Sequence, residues 1–158
     1  MRQKTSNESK IEMTELVLPN DANLLGNLLG GRLMHWIDIA GAMAAQRHCN
    51  MAVVTAAIDS VEFRHPVKVG EMITLISRVT WVGRTSMEIA VDVFSEDFFS
   101  GERKHTNKAY LTFVAVDKGG RPVEVCGLTL ETDDDKKEYE AALARRNERL
   151  KKRSDINA

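Results

Sequence analysis

The chain has 158 residues, 43% hydrophobic and 28% charged, with a formal net charge of −1. That length supports one domain with a real core. The near-neutral charge gives no global electrostatic basis for binding nucleic acid or a membrane surface.

In chain order, residues 1–10 are polar and lack the apolar stretch of a signal peptide, so a disordered tail is expected there. No uninterrupted apolar run reaches transmembrane length. Cys49 and Cys126 lie far apart without CxxC spacing, which argues against a zinc site or a disulfide framework and for free thiols in a reducing compartment. A cytoplasmic location is the resulting expectation. Ile11 to Leu18 alternates loosely and predicts a strand stopped by Pro19-Asn20-Asp21. A polar loop follows from Asp21 to Gly30.

Gly30-Gly31 opens a helix that runs to about His48, with Leu33, Trp36, Ile37, Ala40 and Ala44 at helical spacing. The sequence makes this helix apolar on nearly every side, which predicts burial. One carboxylate, Asp38, interrupts it. A charge in such a place is costly unless it is paired or hydrogen-bonded. Small residues fill the second half of the helix and allow a close approach by another backbone.

Four strand-like runs come next: Val53 to Phe63, Met72 to Val82, Ser86 to Phe94 and Thr106 to Val116. Ile73, Leu75, Val79 and Trp81 are expected on one face of the second run, and Met87, Ile89, Val91 and Val93 on one face of the third. The fourth is apolar on both faces, so one face is expected against the helix and the other against a second subunit. Thr132-Asp133-Asp134-Asp135 has the pattern of a capping box. It opens a largely solvated helix with a thin stripe of Tyr139, Leu143 and Leu150, ending in the basic tail Arg145 to Arg153. The strand connections are mostly too short for crossover helices. The expected fold is α+β: an antiparallel sheet wrapped around one long helix over residues 11–131, with an appended helix and tail over 132–158.

The chemistry centres on the first helix. Asp38 can act on water as a general base, or as a nucleophile. The Asn23 amide can hold that water or donate to a carbonyl oxygen. The N–H groups after Gly30 and Gly31 sit at a helix N-terminus, where they can stabilise an oxyanion. Asp38 lies roughly 10 Å along the axis from Gly31 at about 1.5 Å per residue. One small reacting group therefore cannot bond both Asn23 and Asp38 of the same chain. Two chains with antiparallel helices remove the difficulty by sharing a site across a two-fold axis. Taken alone, Asp38 could equally be a structural carboxylate, and Asn23 a loop cap. His35 and Asp38 sit one turn apart without a third ligand, so no metal is expected. His48-Cys49 lacks a partner for thiol chemistry.

The run Asp21-Ala-Asn-Leu-Leu-Gly-Asn-Leu-Leu-Gly-Gly31, with Trp36-Ile-Asp-Ile-Ala-Gly41 and Arg47-His-Cys-Asn50, resembles the hotdog-fold acyl-CoA thioesterases. The group containing YciA-type enzymes and the brain-type cytosolic acyl-CoA hydrolase is the most similar. Val54 to Phe63, Val69-Gly70, Val82 to Glu88 and Thr106 to Val116 extend the resemblance in the same order. It implies a hotdog fold with an active site between subunits, where Asn23 and Asp38 take the Asn and acid roles. It also implies a homo-oligomer, a dimer at least and a trimer of dimers by family habit. The substrate would be acyl-CoA, hydrolysed to free acid and coenzyme A without a cofactor, catalytic triad, membrane or nucleic acid. A non-catalytic acyl-CoA binding module is the alternative.

The segment containing Val54, Thr55 and Ala56 resembles the family strand that runs beside pantetheine. Gly83, Arg84, Thr85 and Ser86 form a turn with a cation, hydroxyls and N–H groups suited to phosphate oxygens. Arg103, Lys104, His105 and Lys108 make a second basic cluster. An acyl tunnel would draw on Leu28, Leu29, Met34, Trp36 and Met43.

Overall fold

A computed structural model describes residues 2–59 and 61–157. Its elements are β1 (Lys4–Thr5), α1 (Ser6–Ser9), β2 (Ile11–Leu16), a 3-10 turn (Pro19–Asp21), α2 (Gly30–Cys49), β3 (Ala52–Asp59), β4 (Met72–Val82), β5 (Ser86–Glu96), β6 (Arg103–Val116), β7 (Leu128–Thr129) and α3 (Asp133–Asn157). Five strands form one sheet in the order β2-β4-β5-β6-β3, and every pairing is antiparallel. The sheet wraps around α2, as the sequence predicts.

The core forms where the strand period of two meets the helix period of 3.6. Leu33, Trp36, Ile37, Ala40, Ala44 and Ala45 on α2 pack against Ile73, Leu75 and Val79 of β4, against alternate residues Met87 to Val93 of β5, and against Ala109 to Ala115 of β6. Gly41 lies over the Phe113 ring, and a Cβ there would sit 3.0 Å from it. A side chain at position 41 would lift the helix off the sheet. The Ser77 hydroxyl donates to the Ala40 carbonyl at 2.7 Å and ties β4 to the middle of α2.

Several expectations change in three dimensions. The helix is buried along one stripe rather than all round: Asp38 is half-buried and Ile39 is 38% exposed. Trp81 leaves the core face because the register slips between Val79 and Trp81. That bulge turns the indole to the outer face, beneath the Arg146 guanidinium at 5.1 Å.

Residues 4–9, expected as disordered tail, are ordered. Lys4–Thr5 pairs in parallel with Leu128–Thr129. Lys4 Nζ donates to the Arg47 carbonyl at 2.7 Å and to Asn50 Oδ1 at 2.6 Å. A cation there satisfies the C-terminal end of α2, where Asn50 closes the helix in the left-handed conformation at φ 57. Ser9 is fully buried, with its hydroxyl 3.4 Å from His48 Nδ1. Composition marks such a segment as polar. Its partners lie 39 to 46 residues away at the end of α2 and 124 residues away in β7.

The outer face of the sheet, expected to meet a second subunit, carries α3 instead. Thr132 and Asp135 form the predicted capping box, with Asp135 N–H donating to Thr132 Oγ1 at 3.0 Å and Thr132 N–H to Asp135 Oδ2 at 3.2 Å. The contact stripe is not the apolar one. Leu143 and Leu150 stay exposed, while Ala142 is buried and Arg145 reaches β5. Arg145 binds Glu88 through two nitrogens, at 3.0 and 2.8 Å, and stacks over Tyr110 at 3.6 Å. Arg149 pairs with Asp59 at 3.3 Å. The basic stretch thus fastens α3 to the sheet.

Candidate active site

Asp38 projects from the α2 face away from β4 and β5. Its Oδ1 accepts a 2.7 Å hydrogen bond from Thr55 Oγ1. Three features make that contact. Gly41, one turn on, brings the helix down onto Phe113. Thr55 lies directly opposite Phe113 in the β3–β6 ladder, so its side chain shares the helix-facing side. The register slips between Thr55 and Ala57, leaving Ala56 as an extra residue that bends β3 beside the acid. A hydroxyl bonded to one carboxylate oxygen fixes the orientation of the acid and leaves the other oxygen free to accept.

Asn23 is held by its own loop. Its Oδ1 accepts from the N–H groups of Leu25 at 3.0 Å and Asn27 at 3.1 Å. The Gly26 N–H donates to the Asn23 carbonyl at 3.0 Å, and Gly26 takes φ +79, which a side chain would strain. With Oδ1 committed, the end of Asn23 that points outward is its NH2 group, a donor. The loop is tied to the body by Leu28 N–H to the Val67 carbonyl and Val69 N–H to the Gly26 carbonyl.

At the start of α2, Leu29 provides no side-chain cap. The first-turn N–H groups, including those of Gly30 and Gly31, therefore point from a helix N-terminus without a capping oxygen. Gly31 faces open space, and the Phe63 ring lies 3.4 Å from where a Cβ of Gly30 would be. Asp38 is eight residues further on, about 12 Å along the axis. Within one chain, Asp38 meets Thr55 while Asn23 meets its own loop.

Val54 and Ala56 are exposed on β3, which ends the five-stranded order and so keeps one edge unpaired. The Gly83–Ser86 turn lies at the same end of the sheet as Thr55. Ser86 pairs with Val114, which pairs with Val54, and the neighbouring row is Met87, Phe113, Thr55. Two strand spacings separate the turn from Thr55, roughly 10 Å. The Gly83 N–H donates to the Ser86 carbonyl at 2.8 Å, and Arg84 is exposed. A Cβ at Gly83 would fall 2.5 Å from the Trp81 ring, so this turn needs glycine.

The second basic cluster is placed apart from Asp38. Arg103 stacks on Phe94 at 4.3 Å, His105 bonds Asp92 at 2.9 Å and Lys108 approaches Glu138 at 3.5 Å. A cavity of about 620 Å³ lies beside it on the outer face, lined by Tyr110, Arg145, Arg149, Asp59 and Glu62 among others. Arg149 there pairs with Asp59, Arg64 with Glu62 and Arg145 with Glu88, and the sheet separates the cavity from Asp38. Of the tunnel candidates, Trp36 is in the core, Leu28 and Met43 pack against it, and Leu29 is 42% exposed next to Gly30. Among the described residues, no group of three His, Cys, Asp or Glu could hold a metal ion. Burial holds the Cys49 thiol above its usual range. Among the described residues, no helix is long and apolar enough to cross a membrane.

Sequence reasoning placed Thr55 beside a ligand and missed its bond to Asp38. It also missed Phe63 over Gly30. Neither contact has a local signal, because each joins segments 17 or more residues apart.

Residues 25–97 match the family model described as the thioesterase superfamily. A Bacillus subtilis protein named an uncharacterized acyl-CoA thioester hydrolase is 41% identical over 151 residues, 96% of this chain and 88% of that protein. The crystal structure of an apo-hexameric acyl-CoA thioesterase superposes with a TM-score of 0.92 at 42% identity, over 96% of this chain and 97% of its own. A Staphylococcus aureus acyl-CoA hydrolase, solved with butyryl coenzyme A, coenzyme A and coenzyme A disulfide, gives a TM-score of 0.90 at 35% identity, over 99% of this chain and 95% of its own. That hydrolase has also been solved with single Asp, Asn and Thr residues replaced by alanine.

Proposed function

This chain belongs to the thioesterase superfamily, and we propose that it hydrolyses acyl-CoA to a free acid and coenzyme A at a site shared by two subunits. The observation that carries this reading is the 2.7 Å bond from Thr55 to Asp38 on a helix face left open by the single chain. A structural carboxylate would be expected to have its oxygens consumed by the fold. This one is oriented by one donor and left with an accepting oxygen.

In the reaction, water bonded to Asp38 attacks the thioester carbon and loses its proton to the carboxylate. Asp38 attacking directly as nucleophile is the other form of the same step, and water then cleaves the resulting anhydride. The carbonyl oxygen gains negative charge and receives hydrogen bonds from the Asn23 NH2 group and the first-turn N–H groups at Gly30 and Gly31 of the other subunit. The carbon–sulfur bond breaks, and the departing thiolate takes a proton to become coenzyme A. A thioester lacks amide resonance, so no resident cofactor or metal is needed.

Pantetheine lies along Val54, Thr55 and Ala56, and the Gly83–Ser86 turn with Arg84 faces the phosphates. Two-subunit assembly is supported by the 12 Å offset between donor and acid, and by the exposed apolar groups Leu24, Leu25, Val54 and Phe63 around the site. The hexameric relative supports a trimer of dimers as the full assembly. The two unpaired cysteines agree with a cytosolic place for the enzyme.

The test is thiol release from acyl-CoAs ranging from acetyl to palmitoyl. Asp38→Asn is expected to abolish most turnover while coenzyme A still binds. Full activity in that variant removes Asp38 from the chemistry. Absence of turnover with every chain length in the unaltered protein removes the hydrolase reading itself.

A further inference from the structure

Asp21 opens the loop that carries Asn23, and it is bonded in three directions. Its Oδ2 accepts from the Leu18 N–H at 2.9 Å. Its Oδ1 faces Arg32 Nε at 3.2 Å, in the first turn of α2. Its main-chain carbonyl accepts from the Leu29 N–H at 2.8 Å, the residue that precedes α2. One residue therefore joins the turn that follows β2, the loop exit and the helix start. The segment between Asp21 and Leu29 is the loop that presents the Asn23 amide.

The burial supports a purposeful contact. Asp21 is 9% exposed, although its neighbours Asn20 and Asn23 are exposed. Arg32 stands in the first turn of a helix, where a cation opposes the macrodipole. The Asp21 carboxylate offsets that charge and pins the side chain beside the loop. The loop is otherwise held on its far side, by Leu28 N–H to the Val67 carbonyl and Val69 N–H to the Gly26 carbonyl, while Leu24 and Leu25 at its tip are solvent-facing at 106% and 84%. Without this staple, Asn23 keeps its internal turn and the ties to residues 67–69, but the turn loses the side-chain link that fixes it against the first turn of α2.

We propose that Asp21 is the positioning residue for Asn23: it acts through the loop, touches no substrate, and sets the distance between the Asn23 amide and the first-turn N–H groups. The inference rests on the reading that Asn23 serves Asp38 of the partner subunit. Misplacement of a catalytic group by about 1 Å is enough for a loss on the order of 10²-fold.

The experiment uses the full chain and a thiol-release assay. Asp21→Ala is expected to lower kcat by roughly 10²-fold with KM for acyl-CoA changed less than about threefold. Asp21→Asn keeps an oxygen for the Leu18 N–H but loses the charge that faces Arg32, and is expected to recover about tenfold of that loss, leaving kcat about tenfold below the unaltered protein. The double variant Asp21→Ala/Asn23→Ala should be no slower than Asn23→Ala alone, because both act through one amide.

Co-expression of differently tagged chains supplies a readout that a general loss of stability would not give. Asp21→Ala chains mixed with Asp38→Ala chains should regain activity, since one shared site then has an intact loop and an intact acid. Asp21→Ala mixed with Asn23→Ala should not regain it. Unchanged kcat in Asp21→Ala, a double variant slower than Asn23→Ala, or recovery in the second mixture overturns the proposal. The control mixture of Asn23→Ala with Asp38→Ala tests the shared site separately. If it fails, the shared site falls, and the double variant still decides the role of Asp21. Should Asp21→Ala not fold, Asp21→Asn takes its place in both mixtures and in the double variant, with a kcat loss of about tenfold or more expected; kcat within about twofold of the unaltered protein overturns the proposal.

Discussion

Thr55→Val removes one hydroxyl and keeps the volume, shape and β-branching of the side chain. The bond it deletes is 2.7 Å long and ends on a carboxylate oxygen. Hydrogen bonds to charged groups contribute about 1.5–3 kcal/mol. Thr55 is exposed in the single chain, which places this bond at the lower end, about 1.5 kcal/mol. If orientation of Asp38 matters only in the transition state, that becomes roughly a tenfold fall in kcat. KM should change little, because the main chain of β3 is unaltered. Steady-state thiol release at saturating acyl-CoA measures the change. Thr55→Ser, which keeps the hydroxyl, should stay within about threefold of the unaltered enzyme. In an Asp38→Asn background, Thr55→Val should add almost nothing. A Thr55→Val enzyme with full kcat, or one no slower than Thr55→Ser, would refute the claim that this contact orients the acid.

Two further predictions concern the frame around the site. Glu88 is 3% exposed, and its carboxylate is held by Arg145 and Thr80. Arg145→Met should lower the unfolding free energy by about 3–5 kcal/mol, since it leaves a buried carboxylate without its cation. The double change Glu88→Gln/Arg145→Met should recover much of this, and urea titrations would show the reverse if the pair were unimportant. His48 is fully buried, and burial holds its imidazole below the usual 6.5. The folded chain then binds fewer protons than the unfolded chain below that value, so stability is complete above about pH 6.5 and falls as the pH drops beneath it. Denaturation midpoints at pH 7.5, 6.0 and 5.0 should decline more steeply for the unaltered protein than for His48→Gln. Equal slopes would show that His48 does not drive the acid sensitivity.

The buried His48 also shows how the termini are used. Its Nε2 lies 3.3 Å from the Cys126 carbonyl, which can only accept, so Nε2 carries the proton. Nδ1 then accepts from Ser9. One neutral ring thus joins the N-terminal segment, the end of α2 and the strand-free stretch before β7. The polar first ten residues carry no mark of this role, because the contacts that order them are supplied by residues far along the chain.

Periodicity alone determined much of the architecture. Alternation in β4, β5 and β6 assigned most inward residues, and the small residues of α2 announced a helix in close contact with a sheet. The acid in that helix and the Asn before it were visible as chemistry, because a lone carboxylate among apolar residues is costly wherever it sits. Tertiary structure decided the rest. A bulge that carries no sequence signal moved Trp81 outward. The cations of α3, periodic in no apolar sense, became its contact face through Glu88 and Asp59. Thr55 met Asp38 only because a strand bend, a glycine and a ladder register coincided. Local patterns report which side chains prefer to avoid water; they carry no information on which of many distant polar partners will meet, and that choice is made by the packed fold.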